Sequence, residues 1–106
     1  MKLLHDEGTP FTCTLVGDGP LRECLEQRAK ELGIADAVAF KGALPSNQVA
    51  KCYCECDAVV LASFAEGIPM VLMEAMAHQR PVVAPNLSSI AELVEHGVNG
   101  YLCPPG

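Results

Sequence analysis

The sequence predicts an α/β domain built on a mostly parallel sheet flanked by helices, and three observations predict it. Short runs rich in Val, Leu, Ala and Phe alternate with stretches whose apolar residues recur at helical spacing. Each run is bounded by Gly, Pro, Asp or Ser, the residues that turn a chain. The runs at 57–62 and 81–85 are continuously apolar rather than alternating, as strands covered on both faces of a parallel sheet are. At 106 residues, with no repeat, linker or low-complexity tract, residues 1–106 read as one domain.

Taken in order, Leu3 and Leu4 before Gly8-Thr-Pro10 read as the end of a helix and a turn. Residues 11–16 alternate and form the first strand, closed by Gly17-Asp-Gly-Pro20, where Pro20 suits the first turn of a helix. Leu21, Leu25, Ala29 and Leu32 repeat along that helix, and Gly33 caps it. A short strand over 37–40 ends at Lys41-Gly42, and Ser46 N-caps a helix running to Tyr53. After the strand over 57–62, a helix runs from Pro69 to near Gln79. Pro81 starts the next strand. Ser89 and Glu92 have the spacing of a capping box, the helix they open stops at His96-Gly97, and 101–103 is the last strand.

Composition excludes some classes of function. The net charge is −6 and the seven Lys and Arg are scattered singly, so the clustered cations that bind nucleic-acid backbones are missing. No apolar run reaches the ~20 residues of a membrane span, and the N-terminus lacks a signal peptide's apolar stretch. Six cysteines without a secretion signal suggest a reducing, cytoplasmic setting. Cys52, Cys54 and Cys56 are spaced more tightly than a zinc knuckle and have no matching second pair, which favours buried small residues over metal ligands.

Ligands of open parallel sheets bind beyond the carboxyl ends of the strands, so the loops at 17–19, 41–45 and 63–68 are the candidate site. Gly17-Asp-Gly is either a phosphate cradle or a tight turn, and it lacks the third glycine of the dinucleotide fingerprint. His78 and His96 each fall in a helix's last turn, where a cation complements the dipole. Glu66 and Glu74 stand out more. Met70 to Ala77 is apolar except for Glu74, and a helix apolar all round is normally buried, so Glu74 needs a partner. Either it serves a site, or it forms a structural ion pair with Arg80 or Lys51.

Val16-Gly-Asp-Gly-Pro20, Phe40-Lys-Gly42, Asp57 leading to Ala62-Ser63, Glu66-Gly67 with Glu74-Ala-Met-Ala77, Pro81-Val-Val-Ala84, Glu92-Leu-Val94 and Gly100-Tyr-Leu-Cys-Pro104 follow one another in order. Together they resemble the donor-binding, C-terminal domain of the group 1 retaining glycosyltransferases, which have the GT-B fold. The resemblance covers residues 11–106. It implies a Rossmann-like domain that binds a nucleotide-diphosphate sugar for transfer to a glycan, lipid or other acceptor, with polysaccharide or glycoconjugate biosynthesis as the setting.

By that resemblance, Glu66, Gly67 and Ile68 meet the donor sugar. Backbone N–H groups of Gly67, Ile68, Met70 and Val71 face the diphosphate, Glu74 accepts from the ribose hydroxyls, and Lys41, Gly42, Ala43 and Leu44 border the base. No metal or other cofactor is implied, because a helix N-terminus and cations stabilise the leaving diphosphate. The family's first strand, its diphosphate-binding Arg and Lys, and the acceptor domain would all precede Met1. The chain is therefore expected to be a fragment truncated at its N-terminal strand and inactive alone. Its exposed sheet edges are expected either to close up or to drive oligomerisation. Contact with a membrane, at the inner face, is left open for the parent only.

The chain departs from the family pattern at Gln79, usually Gly, and at Ser88-Ser89, usually Gly-Gly. Those departures keep open an alternative: a non-catalytic nucleotide-binding or protein-interaction module with the same fold.

Overall fold

A computed structural model describes residues 1–62 and 70–104. The chain divides into two compact units, Met1–Val49 and Ala50–Gly106.

In the first unit, helix α1 (Lys2–Asp6) precedes strand β1 (Cys13–Val16), helix α2 (Arg22–Glu31), a 3-10 turn (Ala35–Ala37) and strand β2 (Val38–Gly42). β1 and β2 pair in parallel, with a register shift between Leu15 and Val16. The crossover between them depends on how α2 ends. Gly33 adopts φ 74, which lets its N–H reach Lys30 O at 3.1 Å and the Ile34 N–H reach Ala29 O at 3.0 Å. This is a Schellman cap, and it buries Ile34 with Ala29, the apolar contact that accompanies the motif. The expected glycine cap is present.

In the second unit, helix α3 (Ser46–Glu55), which begins just before the boundary, leads to strand β3 (Val59–Val60). Helix α4 (Met70–Ala77), strand β4 (Val82–Pro85), helix α5 (Ser88–Ala91) and strand β5 (Gly100–Cys103) follow. β4 lies between β3 and β5, parallel to both. Leu72 and Ala75 of α4, Val82 and Ala84 of β4, and Ile90 and Val94 form a core that solvent barely reaches. Each large member contributes about 1.5–3 kcal/mol by leaving water. Gly100 sits opposite Val82 in the ladder, and a Cβ there would run into Val82 O, come within 2.7 Å of Val82 Cγ2 and 3.1 Å of Val94 Cγ1.

The α/β class with parallel strands flanked by helices is as expected, the described strands pairing as β1-β2 in the first unit and β3-β4-β5 in the second.

Several expectations are corrected in detail. β3 is short and pairs with β4 alone among the described strands, and Val60 is exposed. Ser46 is inside its helix instead of capping it: the Pro45 carbonyl accepts the first N–H groups, from Gln48 and Val49. Ser89 likewise falls inside α5, whose N-cap is Leu87, so no Ser89–Glu92 capping box forms. Burial of Ile90 and Val94 outweighs a cap worth ~1 kcal/mol. None of the six cysteines is buried.

Gln79 has a clear structural role. At φ 58 it is the residue after the α4 C-cap: its N–H donates to Met76 O at 2.9 Å, and the Arg80 N–H donates to Ala75 O at 2.9 Å. This second Schellman cap uses Gln where a glycine costs least.

Two substitutions test this account in urea unfolding. Gln79→Gly is expected to stabilise the chain by about 0.5–1 kcal/mol, since the left-handed strain removed exceeds the entropy added to the unfolded state. A loss of stability would contradict the cap. Gly100→Ala is expected to destabilise by about 2–3 kcal/mol through overpacking against β4, and a neutral result would mean that the β4–β5 contact is not as close as described.

Candidate functional site

The centre of the second unit's candidate site is α4. Met70 and Val71 are its first two residues, so their N–H groups are among the four that have no acceptor within a helix. No acidic side chain stands in that first turn. One turn on, Glu74 is exposed, as are Met70, Val71 and Met73. The expectation of a buried carboxylate is therefore corrected. Only Leu72 and Ala75 of this helix are buried, so its apolar run is only partly covered.

Glu74 has a partner, and it is neither of the cations considered. Its Oε2 accepts from the Tyr53 hydroxyl at 3.0 Å. Lys51 lies 3.7 Å from Glu55. Arg80 donates from Nε to Tyr53 O at 2.8 Å and from Nη2 to Cys54 O at 2.6 Å. Those carbonyls belong to the last turn of α3 and lack acceptor duty within the helix, so Arg80 caps α3 from the end of α4.

Tyr53 is 8% exposed. Burial, with the Glu74 carboxylate as the next cause, pushes its phenol up to about 12. Its ring stacks on His78 with centroids 5.1 Å apart and planes at 22°. His78 Nδ1 lies 2.9 Å from Glu74 O, so Nδ1 carries the proton and donates to one of the last carbonyls of α4, in line with the expected dipole role. His96 works differently: its Nδ1 accepts from the Leu102 N–H at 3.0 Å, which tethers β5 and caps no helix.

In the first unit, Lys41 to Leu44 run off the end of β2. Gly42 is buried and its carbonyl accepts from the Gly17 N–H at 2.8 Å, while Lys41 and Ala43 are exposed. In the Gly17-Asp-Gly loop, Asp18 Oδ1 accepts from the Gly19 N–H at 2.8 Å, and the Gly19 carbonyl accepts from the Arg22 N–H at 3.2 Å as α2 begins. Arg22, the nearest cation, is held by Glu26 at 2.9 Å and Asp18 at 3.7 Å. Glu66, Gly67 and Ile68, the expected sugar-binding residues, lie outside the described residues.

Sequence reasoning missed Tyr53 and the carbonyl-capping role of Arg80. Each acts across more than 20 positions of chain. The available signal was an aromatic hydroxyl in a segment otherwise read as a helix end. Among the described residues, no group of three His, Cys, Asp or Glu is placed to hold a metal ion, and no helix is long and apolar enough to cross a membrane.

Comparison with known proteins extends this description. The amylovoran biosynthesis glycosyltransferase AmsK of Erwinia amylovora is 36% identical over 111 residues, covering 99% of this chain and 27% of its own. Anabaena Alr3699/HepE, solved in complex with UDP and glucose, superposes with a TM-score of 0.80 at 39% identity, over 90% of this chain and 27% of its own. The C-terminal domain of a glycosyl transferase group 1 family protein (LpcC) from Francisella tularensis superposes with a TM-score of 0.84 at 29% identity, over 98% of this chain and 56% of that one. The chain thus spans about a quarter of the length of the curated relatives it matches. The family model described as glycosyl transferases group 1 matches residues 1–106, and with the Rossmann-like GT-B fold of these neighbours beside it, the chain belongs to that family.

Proposed function

We propose that this chain is the donor-binding part of a retaining glycosyltransferase that moves a sugar from a nucleotide-diphosphate sugar to a glycan, lipid or other acceptor. The observation that carries the reading is Glu74. It is an exposed carboxylate with one oxygen held by Tyr53, while the two cations that could have made it a structural ion pair are engaged elsewhere. Its remaining lone pairs suit the donors of a ribose diol.

The N–H groups of Met70 and Val71 suit the diphosphate, which needs donors and a positive helix end rather than a metal. The family's pattern puts Glu66, Gly67 and Ile68 at the transferred sugar, and Lys41, Gly42, Ala43 and Leu44 at the base. Structures of relatives with UDP and glucose make a nucleotide donor the natural ligand class. As the setting we propose polysaccharide biosynthesis in the cytoplasm, in keeping with the name of the Erwinia relative.

The same reading predicts that the isolated chain self-associates. β1 and β3 each have one unpaired side among the described strands, and Leu15, Val16, Leu21 and Leu25 expose apolar surface in the first unit. Open edges beside apolar surface invite pairing with another chain.

Titration of the full-length protein with uridine, guanosine and adenosine diphosphates tests the binding role. One of the three is expected to bind, and Glu74→Ala to weaken it about tenfold or more, as losing charge-assisted hydrogen bonds does. If no nucleotide binds and Glu74→Ala alters stability alone, a non-catalytic protein-interaction module takes its place. In sedimentation, the isolated 106-residue chain is expected to run larger than a monomer; a monomer at all concentrations would sink the self-association.

A further inference from the structure

We infer that Tyr53 is a positioning residue for nucleotide recognition: it fixes the Glu74 carboxylate in the orientation that receives the ribose diol. The inference rests on the ribose-binding role proposed for Glu74 and assigns a function to a residue on another helix.

Tyr53 is held at three points. Its carbonyl takes the Arg80 Nε–H at 2.8 Å, its ring lies against His78, and its hydroxyl reaches Glu74 Oε2 at 3.0 Å. The hydroxyl has a second acceptor in range, Val71 O at 3.5 Å, but one proton to give, and the shorter approach to a carboxylate is the stronger bond. His78 is itself locked to the Glu74 carbonyl at 2.9 Å. The turn of α4 that carries Glu74 and the ring that holds its side chain therefore form one rigid cluster.

A glutamate on an exposed helix surface otherwise samples many rotamers, and a ligand that needs one of them must order it on binding. Tyr53 does that ordering beforehand. It uses one of about four acceptor sites on the carboxylate, and among the described residues Oε1 accepts no hydrogen bond. Two vicinal hydroxyls need two of the sites that remain. A tyrosine that served packing alone would need no hydroxyl aimed at a solvent-exposed acid.

The experiment compares, in the full-length protein, each of uridine, guanosine and adenosine diphosphate with its 2′,3′-dideoxy counterpart by calorimetry. The quantity read is the affinity ratio between the two. In the unsubstituted protein the ratio is expected to be at least about tenfold for the nucleotide that binds, and Glu74→Ala to bring it to about one. Tyr53→Phe is expected to lower the ratio about three- to tenfold, with the dideoxy affinity unchanged, and to have no effect in a Glu74→Ala background. The phenyl ring keeps the stack, and the acid left behind is exposed to water, so this variant is expected to fold.

If Glu74→Ala collapses the ratio while Tyr53→Phe leaves it intact, the positioning role is wrong and the ribose reading stands. Equal weakening of both nucleotides by Tyr53→Phe also overturns the positioning role, since it marks a structural effect. No binding by any of the three, a ratio of one in the unsubstituted protein, or a ratio untouched by Glu74→Ala overturns the ribose reading and this inference with it.

Discussion

The second unit depends on where Arg80 is sent. The Schellman turn at Gln79 reverses the chain at the end of α4, and the guanidinium that emerges meets two carbonyls at the end of α3. Hydrogen bonds to a charged group contribute about 1.5–3 kcal/mol each at best, and partial exposure reduces that. The pair is therefore comparable to one buried aliphatic side chain such as Leu72. A lysine offers a point charge and no planar fork, so it could not serve both carbonyls with the same economy. Because the ends of two helices are tied at this point, Tyr53 and Glu74 meet although 20 residues separate them in the chain.

The close approach of β5 to β4 fixes the other side of the same unit. With no side chain on Gly100, β5 can lie directly against Val82, and Val94 closes over the contact. β4 is then paired on both sides and is the most buried of the described strands, while Val60 of β3 is exposed. Pro81 and Pro85 bracket the run. Pro81 contributes its carbonyl to the Val59 N–H at 3.0 Å and has no N–H to donate, which is tolerated at the start of a strand.

The order and type of the elements were legible in the sequence because they rest on local periodicity and punctuation. Gly33 ends α2 as its position suggests, and the apolar run at 81–85 becomes the central strand. What was not legible depends on burial decided elsewhere. Ser89 and Glu92 have the spacing of a capping box, yet Ile90 and Val94 set the start of α5 because their burial is the larger energy. The apolar letters around Glu74 suggested a helix covered on all sides, and Met70, Val71 and Met73 are exposed instead. The Tyr53 contact could not be read locally at all, since no spacing within one helix encodes a partner on another.

The two helix starts that follow strand ends differ in a way that bears on which can receive an anion. At the start of α2, Asp18 occupies the turn, takes the Gly19 N–H and stands 3.7 Å from Arg22, which Glu26 also holds. An incoming phosphate would meet a carboxylate already complementing the dipole, and the nearby cation is already neutralised. At the start of α4 the first turn carries no acid, and the N–H groups of Met70 and Val71 have no helical acceptor. In the sequence the glycine-rich turn is either a phosphate cradle or a tight turn, and the proposed donor-binding role gives the diphosphate instead to the helix that also presents Glu74. A diphosphate there would lie at the positive end of the same α4 helix whose next turn offers acceptors to hydroxyls. Under the proposed donor-binding role, that order of donors and then acceptors along one helix suits the order of diphosphate and ribose in a nucleotide-diphosphate sugar.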